Sequence, residues 1–179
     1  YCIYIQIFTI AMIKKKVCKL IKLSKKNNFT LSVAESCTGG LLSSSIIQES
    51  GASNFFNMGF ITYSNKAKVN ILSVNPSIIE KYGAVSEETA LEMVKGVYKK
   101  TKSNLSVSIT GVAGPKGGTK INPVGTVCFG IGINSKDKPI IYKTIKEKFN
   151  LRTRIGIQKK SVNFVLDNLI EIILTHKFD

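Results

Sequence analysis

A serine with hydroxyl, carboxylate and glycine neighbours lies where a predicted strand gives way to a predicted helix, in residues 34–40 (AESCTGG). Unpaired backbone N–H groups at the start of a helix suit an anion or a developing oxyanion. Ser36 and Thr38 supply hydroxyls, Glu35 supplies a carboxylate, and the two glycines let a ligand approach the backbone closely. Ser36 is therefore a candidate nucleophile. The alternative is that Ser36 or Thr38 only caps the following helix.

A serine nucleophile needs a base, and residues 63–68 (YSNKAK) supply two candidates. The chain has a single histidine, His176, close to its C-terminus. Residues 63–68 follow the next predicted strand, so they would emerge at the same end of a parallel sheet. Either Lys68 with a lowered pKa or Tyr63 could accept the proton. For each residue alone, the alternative is a solvated lysine or a half-buried tyrosine.

A third segment is rich in glycine at the end of a predicted strand: residues 109–119 (ITGVAGPKGGT), which lead through residues 123–126 (PVGT) into another strand. The N–H groups of such a loop can form a nest for a phosphate group. The loop lacks the Gly-Lys-Ser/Thr ending of a P-loop, and no GxGxxG motif opens a helix. The alternative is a flexible connection without a ligand. Three such turns would meet in one crevice, which predicts a site for a small anionic molecule.

The elements that must position these turns alternate along the chain. Hydrophobic periodicity and turn residues predict strands at 29–34, 55–63, 105–110, 125–133 and 140–145, and helices at 41–49, 64–72, 76–82, 86–100 and 153–174. The last three strands are separated only by loops, which predicts antiparallel pairing there. We therefore expect an α/β fold, a three-layer α/β/α sandwich with a mixed, mostly parallel sheet of about five or six strands.

The length of 179 residues fits a single domain, which we assign to residues 12–179. The chain begins with tyrosine, so Met12 is a candidate start and residues 1–11 are a candidate upstream extension. Lysines crowd only residues 14–26, where a helical spacing of inward positions predicts an amphipathic helix with a solvated face. Those inward positions are Ile13, Val17, Leu20, Ile21 and Ser24.

The net charge of +15 is otherwise spread along the chain, so we expect no nucleic-acid partner. The four cysteines form no CxxC pair, and with one histidine we expect no zinc site. The apolar opening is too short for a membrane span and shows no cleavable signal, so we expect no membrane partner and a reducing, cytoplasmic location. A homo-oligomer is compatible with the sequence.

Five runs in order and at matching spacing resemble the CinA C-terminal domain family. They are AESCTGG (34–40), YSNKAK (63–68), GAVSEETA (83–90), ITGVAGPKGG (109–118) and PVGTV (123–127), and the resemblance extends over residues 14–175. It implies hydrolysis of the carboxamide of nicotinamide mononucleotide to nicotinate mononucleotide and ammonia, a step of pyridine-nucleotide salvage that uses neither metal nor organic cofactor. Some members carry this domain behind a second, N-terminal domain.

The resemblance also implies roles for individual residues. Ser36 corresponds to the family's nucleophile, Tyr63 to its active-site tyrosine and Lys68 to its lysine, with Lys66 at a variable position. N–H groups near residues 38–40 would hold the oxyanion. The residues expected to bind substrate are Glu35, Thr38, Gly39, Gly40, Thr110, Gly111, Gly114, Gly117, Gly118 and Arg154.

The sequence departs from the family pattern near the expected phosphate site. Asn122 stands where relatives usually have lysine, and Leu151 and Gln158 stand where a glycine and a second arginine are common. We expect either weaker phosphate binding or compensation by other cations, namely Arg152, Lys116 and Lys120. Two other functions stay open: a pyridine-nucleotide-binding module without turnover, and nucleic-acid binding through the lysine-rich helix.

Overall fold

A computed structural model describes residues 2–135, 140–151, 153–176 and 178, with side chains from residue 10 onward. Its helices are α1 (Cys2–Asn27), α2 (Leu41–Ile47), α3 (Asn65–Leu72), α4 (Pro76–Tyr82), α5 (Glu87–Thr101) and α6 (Arg154–Thr175), with a 3-10 turn at Ala52–Asn54. Its strands are β1 (Leu31–Glu35), β2 (Phe56–Ile61), β3 (Leu105–Gly111), β4 (Thr126–Ile133) and β5 (Ile141–Lys148). Each predicted element is present, α4 with the predicted bounds and the others with shifted ends.

The strands form one five-stranded sheet in the order β2-β1-β3-β4-β5. Strand β1 pairs in parallel with both β2 and β3, whereas β3 with β4 and β4 with β5 are antiparallel. The parallel part coincides with the helical crossovers, because parallel neighbours need a long connection and antiparallel ones do not. The predicted α/β fold with a mixed sheet is confirmed. The carboxyl ends of β1, β2 and β3 therefore lie at one edge of the sheet.

Helices cover both faces of the sheet. Helices α1, α2 and α6 pack over one face, where Leu105, Val107 and Ile109 of β3 are fully buried. Helices α3, α4 and α5 lie over the other face, toward which Ser108 donates a hydrogen bond to Ala90 O at 2.6 Å. Branched side chains thus fill the space between the sheet and helices α1, α2 and α6. On the other face, small residues let α5 lie close to the sheet.

One glycine fixes how closely α5 approaches. A Cβ atom at Gly130 of β4 would lie 2.6 Å from Ala90 O of α5, which is closer than any real contact. The first turn of α5 is capped by Ser86, whose Oγ accepts a hydrogen bond from the Thr89 N–H at 3.1 Å. Among the described residues, no helix combines the length and the apolar character needed to cross a bilayer.

Candidate active site

Ser36 lies immediately after the central parallel strand β1, at the carboxyl edge of the sheet. Its N–H donates to Ile109 O of β3 at 2.9 Å, which extends the sheet by one bond and fixes the residue. Ser36 is 7% exposed, and its Oγ lies 3.0 Å from the Lys68 Nζ. The structure therefore brings residues 34–40 and 63–68 together, as predicted, through a direct contact between Ser36 and Lys68.

Lys68 lies in the first turn of α3 and is only 1% exposed. Besides Ser36, its Nζ contacts Thr62 O at 3.0 Å and Tyr63 O at 3.3 Å. Burial lowers the pKa of Lys68 below its ordinary value of 10.5. No ion pair among the described residues involves it, so no carboxylate holds the ammonium form in place.

The three contacts of Lys68 fit both of its protonation states. An ammonium group has three donors and can donate to Ser36 Oγ and to both carbonyls, whereas a neutral amine has two N–H bonds and one lone pair. In the neutral form, N–H bonds directed to the carbonyls of Thr62 and Tyr63 leave the lone pair for the Ser36 hydroxyl. The geometry is that of a base next to its nucleophile.

Glu35, for which the resemblance implies a role in substrate binding, does not line the pocket. The carboxylate is fully buried under the start of α2. It accepts the N–H groups of Gly40 at 3.1 Å, Leu42 at 3.0 Å and Ser43 at 2.8 Å, and the Ser43 hydroxyl at 2.7 Å. Glu35 therefore caps α2, the task that the alternative interpretation gave to Ser36 or Thr38.

The amides of Gly39 and Gly40, which the resemblance places near the oxyanion, already have acceptors. Gly39 N–H donates to Ser36 O at 3.1 Å, and Gly40 N–H donates to Glu35. Both glycines have positive φ, +60° and +96°, and so form the tight turn into α2. Within the described part of the chain, the amides of Cys37 and Thr38, the two residues that follow Ser36, have no backbone acceptor.

Tyr63 points its side chain away from Lys68 and is 64% exposed. Its hydroxyl lies 3.5 Å from Arg154 Nη2, while Arg154 Nη1 donates to Gly114 O at 2.8 Å. Arg154 is in the first turn of α6, so this helix brings a cation from the far end of the chain to the glycine loop. Of the two candidate bases, Lys68 makes a side-chain hydrogen bond to Ser36, whereas Tyr63 contacts the Ser36 hydroxyl through its backbone carbonyl, which accepts at 3.5 Å.

The glycine loop supplies free donors on the other side of the pocket. Val112 N–H donates to Thr126 O at 2.8 Å and anchors the start of the loop. In the described structure, the amides of Ala113, Gly114, Lys116 and Gly117 have no acceptor. Gly114 and Gly117 have φ of +78° and +88°, a backbone turn that lets successive N–H groups point to one side.

These groups line one pocket of about 330 Å³, within the range of about 300–1,000 Å³ common for small-molecule sites. The predicted site residues that line it are Ser36, Tyr63, Lys68, Thr110, Gly111, Gly114, Gly117 and Arg154. Those outside its lining are Glu35, Thr38, Gly39, Gly40 and Gly118. Gly118 instead backs onto the chain, because a Cβ there would lie 2.8 Å from Val124 N. Thr38 is 3% exposed.

Of the cations expected to compensate near the phosphate site, Lys116 lines the pocket and Lys120 does not. Arg152 lies outside the described residues. Lining residues without a role in our predictions are Cys37, Asn65, Ala84, Val85, Val112 and Ala113. The motif at residues 83–90 was the available signal for Ala84 and Val85.

Two of the three positions that depart from the family pattern, Asn122 and Gln158, donate hydrogen bonds to residues that line the pocket. Asn122 Nδ2 donates to Val85 O at 2.9 Å, and Gln158 Nε2 donates to Cys37 O at 2.8 Å. Gln158 lies one turn after Arg154 on α6, so the same face of this helix contacts both the nucleophile turn and the glycine loop. Neither side chain lines the pocket itself.

Cys37, next to Ser36, is not a competing nucleophile. The thiol is 4% exposed, and burial raises its pKa to about 12. A thiol with that pKa is protonated at neutral pH, and the thiolate is the reactive form. The described residues also contain no cluster of three His, Cys, Asp or Glu side chains that could hold a metal ion.

Comparison with known proteins gives the same family along nearly the whole chain. The sequence model of the CinA C-terminal domain matches residues 13–173. A competence-damage inducible protein of Thermoanaerobacter pseudethanolicus is 45% identical over 160 residues, which is 89% of this chain and 37% of that protein. A CinA-like protein of Fervidobacterium nodosum is 46% identical over 149 residues, 80% of this chain and 34% of that protein. The chain thus spans about a third of the length of these relatives.

Solved structures agree with this result. The competence/damage inducible protein CihA of Agrobacterium tumefaciens has a TM-score of 0.82 and 31% identity, covering 90% of this chain and 95% of its own. A competence-damaged protein (CinA) superfamily protein of Escherichia coli has a TM-score of 0.81 and 33% identity, covering 89% and 90%. With the family model spanning most of the chain and the fold shared throughout, this protein belongs to the CinA C-terminal domain family.

Proposed function

We propose that this protein hydrolyses the carboxamide of nicotinamide mononucleotide to nicotinate mononucleotide and ammonia. The observation that carries the proposal is the 3.0 Å contact between Lys68 Nζ and Ser36 Oγ at the base of the pocket. A buried lysine of lowered pKa beside a serine supports acyl transfer, and a carboxamide is a substrate of that reaction class. The nucleotide itself is the substrate that the family resemblance implies. The reaction would serve cytoplasmic pyridine-nucleotide salvage.

In the first half of the reaction, Ser36 Oγ attacks the carboxamide carbon while Lys68 takes the hydroxyl proton. The carbonyl oxygen becomes an oxyanion, for which the free amides of Cys37 and Thr38 are the available donors. As the C–N bond breaks, Lys68 returns the proton to the leaving nitrogen, which departs as ammonia. An ester between Ser36 and the nicotinoyl group remains.

In the second half, water replaces ammonia in the reverse sequence. Lys68 removes a proton from water as its oxygen attacks the ester carbon, and the oxyanion forms again in the same place. Collapse of this intermediate breaks the bond to Ser36, which regains its proton from Lys68. The products are the free carboxylic acid and the original enzyme, so no cofactor is consumed.

The phosphate of the substrate fits the opposite wall of the pocket. The unpaired amides of Ala113, Gly114, Lys116 and Gly117 offer neutral donors, and the side chains of Lys116 and Arg154 add positive charge. Among the described residues, no carboxylate lines the pocket to oppose an anion. Phosphate bound here would take the Arg154 guanidinium as a charge-assisted partner.

The test is ammonia release from nicotinamide mononucleotide by the purified chain. We expect wild-type turnover and a loss of about 10⁴-fold or more in Ser36→Ala, because the nucleophile is absent. Ser44→Ala is the matched control, since Ser44 is exposed on α2 and outside the pocket. A wild-type protein that binds the nucleotide without releasing ammonia would support a binding module instead, and undiminished turnover by Ser36→Ala would remove the serine from the mechanism.

A further inference from the structure

The two open edges of the sheet have opposite character. An exposed edge strand offers unpaired N–H and C=O groups to other chains, and proteins usually protect such edges with charged side chains. Strand β5, at one edge, carries Lys143, Lys146, Glu147 and Lys148. Strand β2, at the other, has the sequence FNMGFI, without a charge or a proline. Only one of the two edges is therefore protected.

The unprotected edge is exposed over a regular stretch of backbone. Register with β1 skips Asn57, which limits the regular edge to residues 58–61. Thr62 N–H donates inward to Glu35 O at 2.8 Å, so by alternation Gly59 and Ile61 direct their N–H and C=O groups outward. Met58 is 44% and Ile61 57% exposed. Free backbone groups here lie between apolar side chains.

Charge is sparse in the chain segment that contains this edge. Residues 36–65 contain a single charged residue, Glu49, in a chain that is 21% charged, and Glu49 pairs with Lys14 at 3.5 Å. On the neighbouring helix α2, Ile47 is 63% exposed and borders a depression of about 370 Å³ beside Phe56. Depletion of charge together with exposed apolar side chains is the composition of an interface core.

We propose that β2 of one molecule pairs antiparallel with β2 of a second copy across a two-fold axis, so that the two sheets become continuous. A second copy offers the same free donors and acceptors, which makes the contact self-complementary. Two molecules with a charge of +15 repel each other wherever lysines face lysines, and residues 36–65 form the neutral approach. A neutral edge has no complementarity to an acidic partner, which would bind the lysine-rich surfaces instead.

Sedimentation velocity over about 1–100 μM tests this pairing. We expect wild type to sediment as a dimer, at twice the chain mass of 19.6 kDa. Ile61→Lys should sediment as a monomer, with a dimer Kd raised at least ~10-fold, because each copy then brings a lysine to the paired edge. The matched control is Ile141→Lys on β5, where the isoleucine is 52% exposed and the charge change is the same. That variant should remain a dimer.

A second measurement covers the case in which Ile61→Lys loses its fold. Amide exchange in wild type should slow at Gly59 and Ile61 as the concentration rises, with no such change along β5. A monomeric wild type at all concentrations would overturn the proposal, as would an undiminished dimer in folded Ile61→Lys or equal dissociation by Ile141→Lys. Protection that is independent of concentration at Gly59 and Ile61 would overturn it as well.

Discussion

At the scale of single residues, the protonation state of Lys68 controls the proposed reaction, because only the neutral amine can take the Ser36 proton. Burial lowers the pKa of Lys68 below 10.5, so this form is reached at lower pH than for a solvated lysine. We expect kcat/KM to rise with pH through that lowered pKa. The pH profile of ammonia release measures it.

Replacing Lys68 tests two separate effects of this residue: its role as the base in the reaction, and the effect of its buried amine on the stability of the fold. Lys68→Met should lose about 10²–10⁴-fold in kcat, because the base is gone. Between its lowered pKa and 10.5, Lys68 binds fewer protons in the folded state than in the unfolded state, so its contribution to the free energy of unfolding rises with pH across that window. The buried thiols of Cys37 and Cys128, whose pKa values are raised to about 12 and about 11, contribute with the opposite sign. Denaturant titrations at several pH values should therefore give a more positive slope of stability against pH in wild type than in Lys68→Met.

Lys66 provides the control for both measurements. It lies on the same helix, α3, but is exposed and outside the pocket. Lys66→Met removes the same charge, and we expect it to keep activity and the pH-dependent stability. If Lys66→Met lost as much activity as Lys68→Met, the assignment of Lys68 as the base would be wrong.

At the scale of elements, α2 depends on a carboxylate that belongs to the strand before it. Glu35→Gln should lower the free energy of unfolding by about 1–3 kcal/mol, because the amide NH₂ group faces backbone donors and the helix loses its buried anion. Since Glu35 does not line the pocket, KM should change little. Thermal unfolding and steady-state kinetics on one preparation measure the two effects.

The matched control for that change is Glu88→Gln. Glu88 also lies in the first turn of a helix, α5, but it is exposed, so its loss should cost at most about 0.5 kcal/mol. A large rise in KM for Glu35→Gln, with stability unchanged, would return Glu35 to the substrate site where the sequence motif placed it.

What could be predicted from the sequence depends on whether a pattern is periodic or specific to one contact. The inward positions of α1, including Val17 and Leu20, are buried as predicted, because a repeat of 3.6 residues leaves one face for the core. Glu35 was misplaced because adjacent residues at a strand end can point to opposite sides. Lys68 and Tyr63 share one short motif, and only three-dimensional geometry shows which of them reaches Ser36.

At the scale of the whole molecule, the alternation of strands and helices was sufficient to predict the layered fold. That the sheet is mixed followed from the connections to β4 and β5, which contain no predicted helix. The distribution of charge around the pocket is harder to predict from the sequence. The sequence suggested a solvated face of lysines, and the structure adds that, among the described residues, no acidic side chain lines the pocket. Positive charge can therefore attract an anionic substrate in two ways: at short range through cations of the pocket wall, and at long range through the net charge of the whole surface.

This arrangement predicts a salt effect that depends on the phosphate of the substrate. Salt screens the attraction between charges that are farther apart than the Debye length, which is about 10 Å at 0.1 M ionic strength. Raising NaCl from about 0.05 to 0.5 M should increase KM for nicotinamide mononucleotide by about threefold or more and leave kcat nearly constant. Nicotinamide riboside has the same amide and no phosphate, so its KM should respond much less.

Two variants locate the source of that difference. Arg154→Leu removes a cation from the pocket wall and should take away most of the preference for the nucleotide over the riboside. Lys120→Leu removes an exposed cation of the same loop region outside the pocket, so the preference should remain. If salt raised KM equally for both substrates, or if the two variants behaved alike, the general field of the molecule rather than the pocket wall would be what attracts the nucleotide.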